Sequence, residues 1–145
     1  MDRDIRVLLA ERAISQVMNE YCQAMDGGER ARWLDCFTDD AVYEVLLPNG
    51  ATYTNLKGRA DFERFIANYP VLPGHRHIYV TPVFAVDPDA GTADVSSYWM
   101  VIAGSAAGTK IASMGRARDV FVSQGGRWLI KERRVATEGI APPDA

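Results

Sequence analysis

The stretch DGGERARWLDCFTDDAVYEV, residues 26–45, begins with a carboxylate set against two glycines. An acid there could be a wetted helix end, or it could point into a hollow and take part in chemistry. A helix C-terminus carries partial negative charge, so Asp26 in that position needs compensation, such as a charged partner. The double glycine lets the chain fold back and leave the side chain over a pocket mouth. Imidazole is the other proton-transfer group in the chain. Its two copies, His75 and His77, stand in the run HRH and share one face of a strand that reaches so far.

Other reaction classes lack their residues. There is no GxSxG, and neither Cys22 nor Cys36 has a CxxC partner or a neighbouring histidine in sequence. Both cysteines fall in helical patterns and read as small buried reduced thiols. HRH alone offers too few ligands for a zinc site, and no glycine-rich loop follows a strand to cradle a nucleotide. No metal and no cofactor is therefore expected. That leaves proton abstraction ahead of covalent catalysis.

Aromatic residues supply the next constellation. Tyr21 lies about one helical turn before Asp26, and Tyr43, Tyr53, Tyr79, Tyr98 and Trp99 are spread over strands. Each alone reads as ordinary core packing. Together they could line an apolar pocket for an aromatic or cyclic substrate, with Tyr21, Tyr43, Tyr53 and Trp99 as contacts. Met114, Arg116, Arg118, Val120 and Val122 alternate along one strand face. From there Arg116 could enter the pocket as an oxyanion clamp, or pair with an acid such as Glu44.

The elements that must hold these groups follow from periodicity. Ile5, Leu8, Leu9, Ala13, Val17, Met18, Tyr21 and Met25 mark a helix over residues 5–25, stopped by Gly27-Gly28. ERARWLDCF is a second, short helix that Thr38-Asp39-Asp40 ends. AVYEVLL and ATYTNL form a hairpin around PNG. RADFERFIANY is a third helix, with Phe62, Phe65, Ile66 and Tyr69 on one face, closed by Pro70 and Pro73. HIYVTPVFAV, TADVSSYWMVIA, IASMGRARDVFV and RWLIKERRVA are strands split by PDAG, GSAAG and SQGG. Pro82 implies an edge strand or a bulge. Residues 1–138 read as one domain and 139–145 as a C-terminal tail.

With 145 residues, 48% hydrophobic and 24% charged, the chain suits a single globular domain rather than disorder. A formal net charge of −3, and a sole dense basic cluster (Lys131, Arg133, Arg134) broken by Glu132, exclude a nucleic-acid surface. The N-terminal apolar run, Val7 to Ala10, is too short for a signal peptide or a membrane span. The expected location is the cytoplasm.

The order of elements resembles the SnoaL-like branch of the nuclear-transport-factor-2-like superfamily, which includes scytalone dehydratase and hexachlorocyclohexane dehydrochlorinase. YCQAMDGGERARWLDCFTDDAVYEV, LKGRADFERFI, HRHIYVTPV and GRARDVFVSQGGRWLIKERR carry the resemblance over nearly the whole chain. It implies an α+β cone, with three N-terminal helices packed on a strongly curved, mostly antiparallel β-sheet around a central pocket. It also implies a catalytic pair of Asp26, matching the acid that ends the first helix, and His77, matching the histidine on the strand after the third helix. His75 competes for the second role. A further histidine that scytalone dehydratase carries on the following strand has no counterpart in SSYWMVIAG.

The expected function is a cofactor-independent lyase or isomerase acting on a small cyclic or aromatic carbonyl compound. In it His77 removes a proton α to the carbonyl, Asp26 orients the ring, and Tyr21 or Tyr43 hydrogen-bonds the oxygen that gains charge. Dehydration, dehalogenation and cyclisation all start from that transfer. The alternatives are a non-catalytic small-molecule-binding domain and the structural small subunit of an aromatic-ring dioxygenase. The expected partners are a hydrophobic small molecule and a second or third copy of the chain, with no nucleic acid and no membrane.

Overall fold

The computed structural model describes residues 1–143. It is a mixed α+β fold in which helices cover one face of a curved, unclosed six-stranded sheet. The first helix, α1 (Arg3–Gly27), is capped by the Asp2 carboxylate, which accepts from the Asp4 amide at 2.7 Å. Ala10, Ile14, Met18, Tyr21, Cys22 and Met25 recur on its buried face at helical spacing. It ends in a left-handed residue, Gly28 at φ 68°. The Glu29 amide then donates to the Ala24 carbonyl at 2.9 Å, so the last carbonyls of α1 are satisfied as the chain turns back.

The second helix is shorter than its sequence pattern. Helix α2 (Arg30–Leu34) stops before Phe37, because Phe37 already pairs in the sheet with Ile130. Strand pairing has overridden local helical preference there, and Thr38 to Asp40 belong to β1 (Phe37–Leu46). Trp33, fully buried, wedges between the layers. Its ring lies 4.7 Å from Phe37, 5.8 Å from Phe62 and 6.0 Å from Tyr21, centroid to centroid. The hairpin partner β2 (Thr52–Lys57) leads into α3 (Arg59–Asn68), which buries Phe62 and Ile66.

Four long strands complete the sheet: β3 (His75–Asp87), β4 (Thr92–Ser105), β5 (Gly108–Gln124) and β6 (Arg127–Ile140). Their order is β2-β1-β6-β5-β4-β3, antiparallel except for the parallel β1–β6 pair. Pro82 sits as the sequence requires of proline: β3 is an edge strand, and its register slips between Val80 and Val83. Residues Gly139 and Ile140, assigned above to a tail, continue β6, and the Ala141 amide bonds the Ala112 carbonyl at 2.8 Å. The last two residues of that tail, 144 and 145, lie outside the described residues.

Strand alternation sorts side chains between the two faces. Ala93, Val95, Ser97 and Trp99 of β4 point to the helices, as do Ala117, Asp119 and Phe121 of β5 and Ile130, Arg133 and Val135 of β6. Their neighbours of opposite parity, including Tyr98, Arg116 and Arg118, form the outer face.

Candidate functional site

Asp26 occupies the last turn of α1, and His77 the third position of β3. Helix α1 packs across β3, which brings the two side chains together over 51 positions of chain. His77 Nδ1 lies 2.6 Å from Asp26 Oδ1, and the His77 backbone amide donates to Asp26 Oδ2 at 3.0 Å and Oδ1 at 3.2 Å. The carboxylate therefore meets three short donor contacts and is only 11% exposed, while the imidazole is 18% exposed. An ionised carboxylate can only accept, so Nδ1 donates to it, and in the neutral ring the lone pair then falls on Nε2. The pair supplies the compensation that an acid at a helix C-terminus needs.

Nε2 meets one further group, the Tyr69 hydroxyl at 3.3 Å. Burial pushes the Tyr69 phenol up to about 12, so it remains a protonated donor at neutral pH. Sequence reasoning placed Tyr69 on the packing face of α3 and missed this contact. The signal was there, in a polar-tipped aromatic ending an apolar stripe beside Pro70. His75 lines the same cleft, and among the described residues the carboxylate of Asp26 has its ion pair with His77. The cleft, between Met25, Asp26, Tyr69, Leu72, His75 and His77, holds about 20 Å³, room for a single water.

Deeper in, Tyr21 and Tyr43 are buried with their hydroxyls 3.0 Å apart. Burial raises both phenols above their ordinary range. The edge of Tyr21 meets Tyr79, with centroids 5.9 Å apart. The Arg133 guanidinium sits in the corner that these nearly perpendicular rings make, 4.2 Å from the Tyr21 centroid and 4.1 Å from that of Tyr79. Arg133 is fully buried and bonds Asp119 at 3.1 Å. Trp99 also faces inward, donating its indole N–H to the Arg116 carbonyl at 3.2 Å. Arg133 was counted above in the basic cluster with Lys131 and Arg134. Its parity with Val135 in KERRVA marks it as an inward residue.

Two expected contacts stand elsewhere. Arg116 is on the outer face, 68% exposed, where it pairs with Glu138 at 3.2 Å. Its neighbour Ala117 points in, so parity sends Arg116 out. Glu44 is instead the partner of Arg134, at 3.7 Å. Tyr53 is 73% exposed on edge strand β2, and it does not line the cleft with Asp26 and His77. A larger concavity, about 580 Å³, is also on the outer face, between Glu44, Leu46, Val83, Tyr98, Arg116 and Arg134. It holds neither histidine. The larger hollow and the Asp26–His77 pair thus lie in different places.

Both thiols are unpaired and buried, and burial pushes Cys22 and Cys36 up to about 12. Among the described residues no group of three His, Cys, Asp or Glu side chains could hold a metal ion. Among them, too, no helix is long and apolar enough to cross a membrane.

The fold recurs in solved structures. A function-unknown protein from Mycobacterium tuberculosis is 23% identical, with a TM-score of 0.81 covering 97% of this chain and 79% of that one. A nuclear-transport-factor-2-like protein with a cystatin-like fold from Novosphingobium aromaticivorans is 18% identical, with a TM-score of 0.79 over 98% and 88% of the two chains. ActVI-ORFA from Streptomyces coelicolor is 18% identical, with a TM-score of 0.74 over 89% and 97%. No curated protein sequence matches. Residues 6–134 match the model of the SnoaL-like domain, and the chain belongs to that family.

Proposed function

We propose that the protein is a cofactor-independent lyase or isomerase that abstracts a proton α to a carbonyl of a small cyclic or aromatic substrate. One observation carries this reading: the 2.6 Å contact of His77 Nδ1 with Asp26, which leaves Nε2 as a base at the cleft. Substrate entry displaces the Tyr69 hydroxyl from Nε2. The base then takes the α-proton, and Asp26, still accepting from Nδ1, stabilises the imidazolium that forms. Oxygen charge developing on the substrate is met by a phenol. Tyr69 stands at the base, and of the Tyr21–Tyr43 hydroxyls only one is consumed by their mutual bond. The imidazolium then returns its proton to a departing β-hydroxyl. Alternatively the carbanion expels a halide and the proton passes to solvent, or it attacks an internal carbonyl carbon whose oxygen takes the proton as the C=O π bond opens.

Proton NMR in D2O tests this directly, with hydroxy-ketones and halogenated cyclic ketones as substrates. At least one should lose its α-proton signal at a rate on the order of a hundredfold above buffer, and His77→Gln should abolish the gain. No exchange across the set, or exchange untouched by His77→Gln, would overturn the reading.

A second copy of the chain is the occupant we propose for the outer groove. Arg116, Arg118 and Arg134 share that face with Glu44, Glu132 and Glu138, and Arg118 has no ion pair among the described residues. A two-fold partner would set each arginine against a glutamate and cover Tyr98, which is 56% exposed. Light scattering should give a dimer mass that Arg118→Glu reduces; a monomer in the wild type refutes it.

A further inference from the structure

Four buried polar atoms on three adjoining strands have no hydrogen-bond partner: Arg133 Nε and Nη2 on β6, Asp119 Oδ2 on β5 and Ser97 Oγ on β4. Folded proteins rarely leave such atoms unmet, and a buried ion pair with open valences is the least economical place to do so. The four share the inward face, since Asp119 is the direct cross-strand partner of Arg133, and Ser97 is that of Ala117, two residues along. Tyr21 and Tyr79, at 79° to each other, crowd the guanidinium from two sides, and Nη1 donates to Asp119 Oδ1. Nε and Nη2 are left without a partner, a fork of donors that matches the lone pairs of an oxygen.

We propose that this edge, with Asp119 Oδ2 and Ser97 Oγ, is the recognition site for an uncharged hydroxy-carbonyl: the carbonyl oxygen on Arg133, the adjacent hydroxyl on Asp119 and Ser97. The inventory selects that class. A carbonyl accepts from Nε and Nη2, and a hydroxyl donates to Oδ2 while meeting the serine, so all four atoms are served. A carboxylate would serve the fork alone. It would also add an uncompensated negative charge beside Asp119, whose charge already balances Arg133. The location fits the base as well. Tyr79, stacked on Arg133, is two residues along β3 from His77 on the same face, about 7 Å by strand geometry.

This inference deepens the proton-transfer reading, so binding is measured apart from turnover. Calorimetric titration of the full chain would compare phenacyl alcohol, with a carbonyl beside a hydroxyl, against acetophenone, which lacks the hydroxyl, and mandelate, which carries a carboxylate. The wild type should bind phenacyl alcohol about tenfold or more tightly than either. Asp119→Asn, which keeps the shape and removes the charge, should move the preference about tenfold toward mandelate. Ser97→Ala serves if that variant fails to fold, and should narrow the margin over acetophenone. His77→Gln should leave the order of affinities intact while α-exchange stops. An intact order with no exchange in the wild type would sink the catalytic reading and keep this one. Equal affinities, tighter mandelate binding by the wild type, or no binding of phenacyl alcohol each overturn the recognition site.

Discussion

Replacing Asp26 by asparagine isolates what the carboxylate does for His77. The exchange keeps the shape, and the amide oxygen can still accept from the His77 backbone N–H, now at 3.0 to 3.2 Å from the carboxylate. The second amide position becomes a donor aimed at Nδ1. The favourable ring then carries its proton on Nε2 and accepts at Nδ1, which removes the base. A hydrogen bond to a charged group in a site this covered contributes about 1.5–3 kcal/mol. Against it stands about 0.3–1 kcal/mol recovered by removing an anion from a helix C-terminus. Asp26→Asn should therefore cost about 1–2 kcal/mol in urea unfolding, while proton-transfer activity falls on the order of 10⁴, as in a hydrolase triad that loses its acid. Nitrogen-15 NMR of the imidazole reads the tautomer with no substrate present. The wild type should show a protonated Nδ1, and the variant a protonated Nε2. A variant that keeps Nδ1 protonated, or gains stability, refutes the assigned role.

Three further outcomes follow from the same contacts. Tyr69→Phe removes the hydroxyl that sits 3.3 Å from Nε2, and should change stability by less than about 1 kcal/mol while altering α-exchange severalfold; an unchanged exchange rate would separate Tyr69 from the reaction. Alkali should unfold the protein early. Burial raises both thiols from 9.0 to about 12, so between those values the folded chain keeps protons that the unfolded chain loses, and stability present below pH 9 is lost as pH rises. Each thiol removes about 1.4 kcal/mol per pH unit, roughly 3 kcal/mol for the two at pH 10, and equal urea midpoints at pH 8 and pH 10 would contradict it. Gly28→Ala should destabilise by about 1–2 kcal/mol, because φ is 68° and a Cβ would stand 2.7 Å from Val71 Cγ2 in the segment beside the cleft; a neutral effect on chemical denaturation would deny that packing.

Local pattern alone determined much of this molecule. Apolar spacing along α1, the glycine that ends it, the PNG hairpin and the alternation in TADVSSYWMVIA each follow from contacts within a few residues. Even Pro82 announced an edge or a slipped register, since proline has no N–H to give a ladder. Parity ties Arg133 to Val135, but a register slip between β5 and β6 at Val120 and Phe121 puts Ile130, three residues earlier, on the same inward face.

Only the tertiary structure decided the remainder. Phe37 to Asp40 became strand because β6 offered them partners, a force no local window contains. Which histidine meets Asp26 is set by where α1 crosses β3, and the Tyr69 hydroxyl reaches Nε2 of His77 through the docking of α3. Arg133 between two tyrosine rings joins three elements far apart in sequence. Periodicity reports which side of an element avoids water. It carries no record of which distant side chain will be waiting there, and a site assembled from opposite ends of the chain is set by packing.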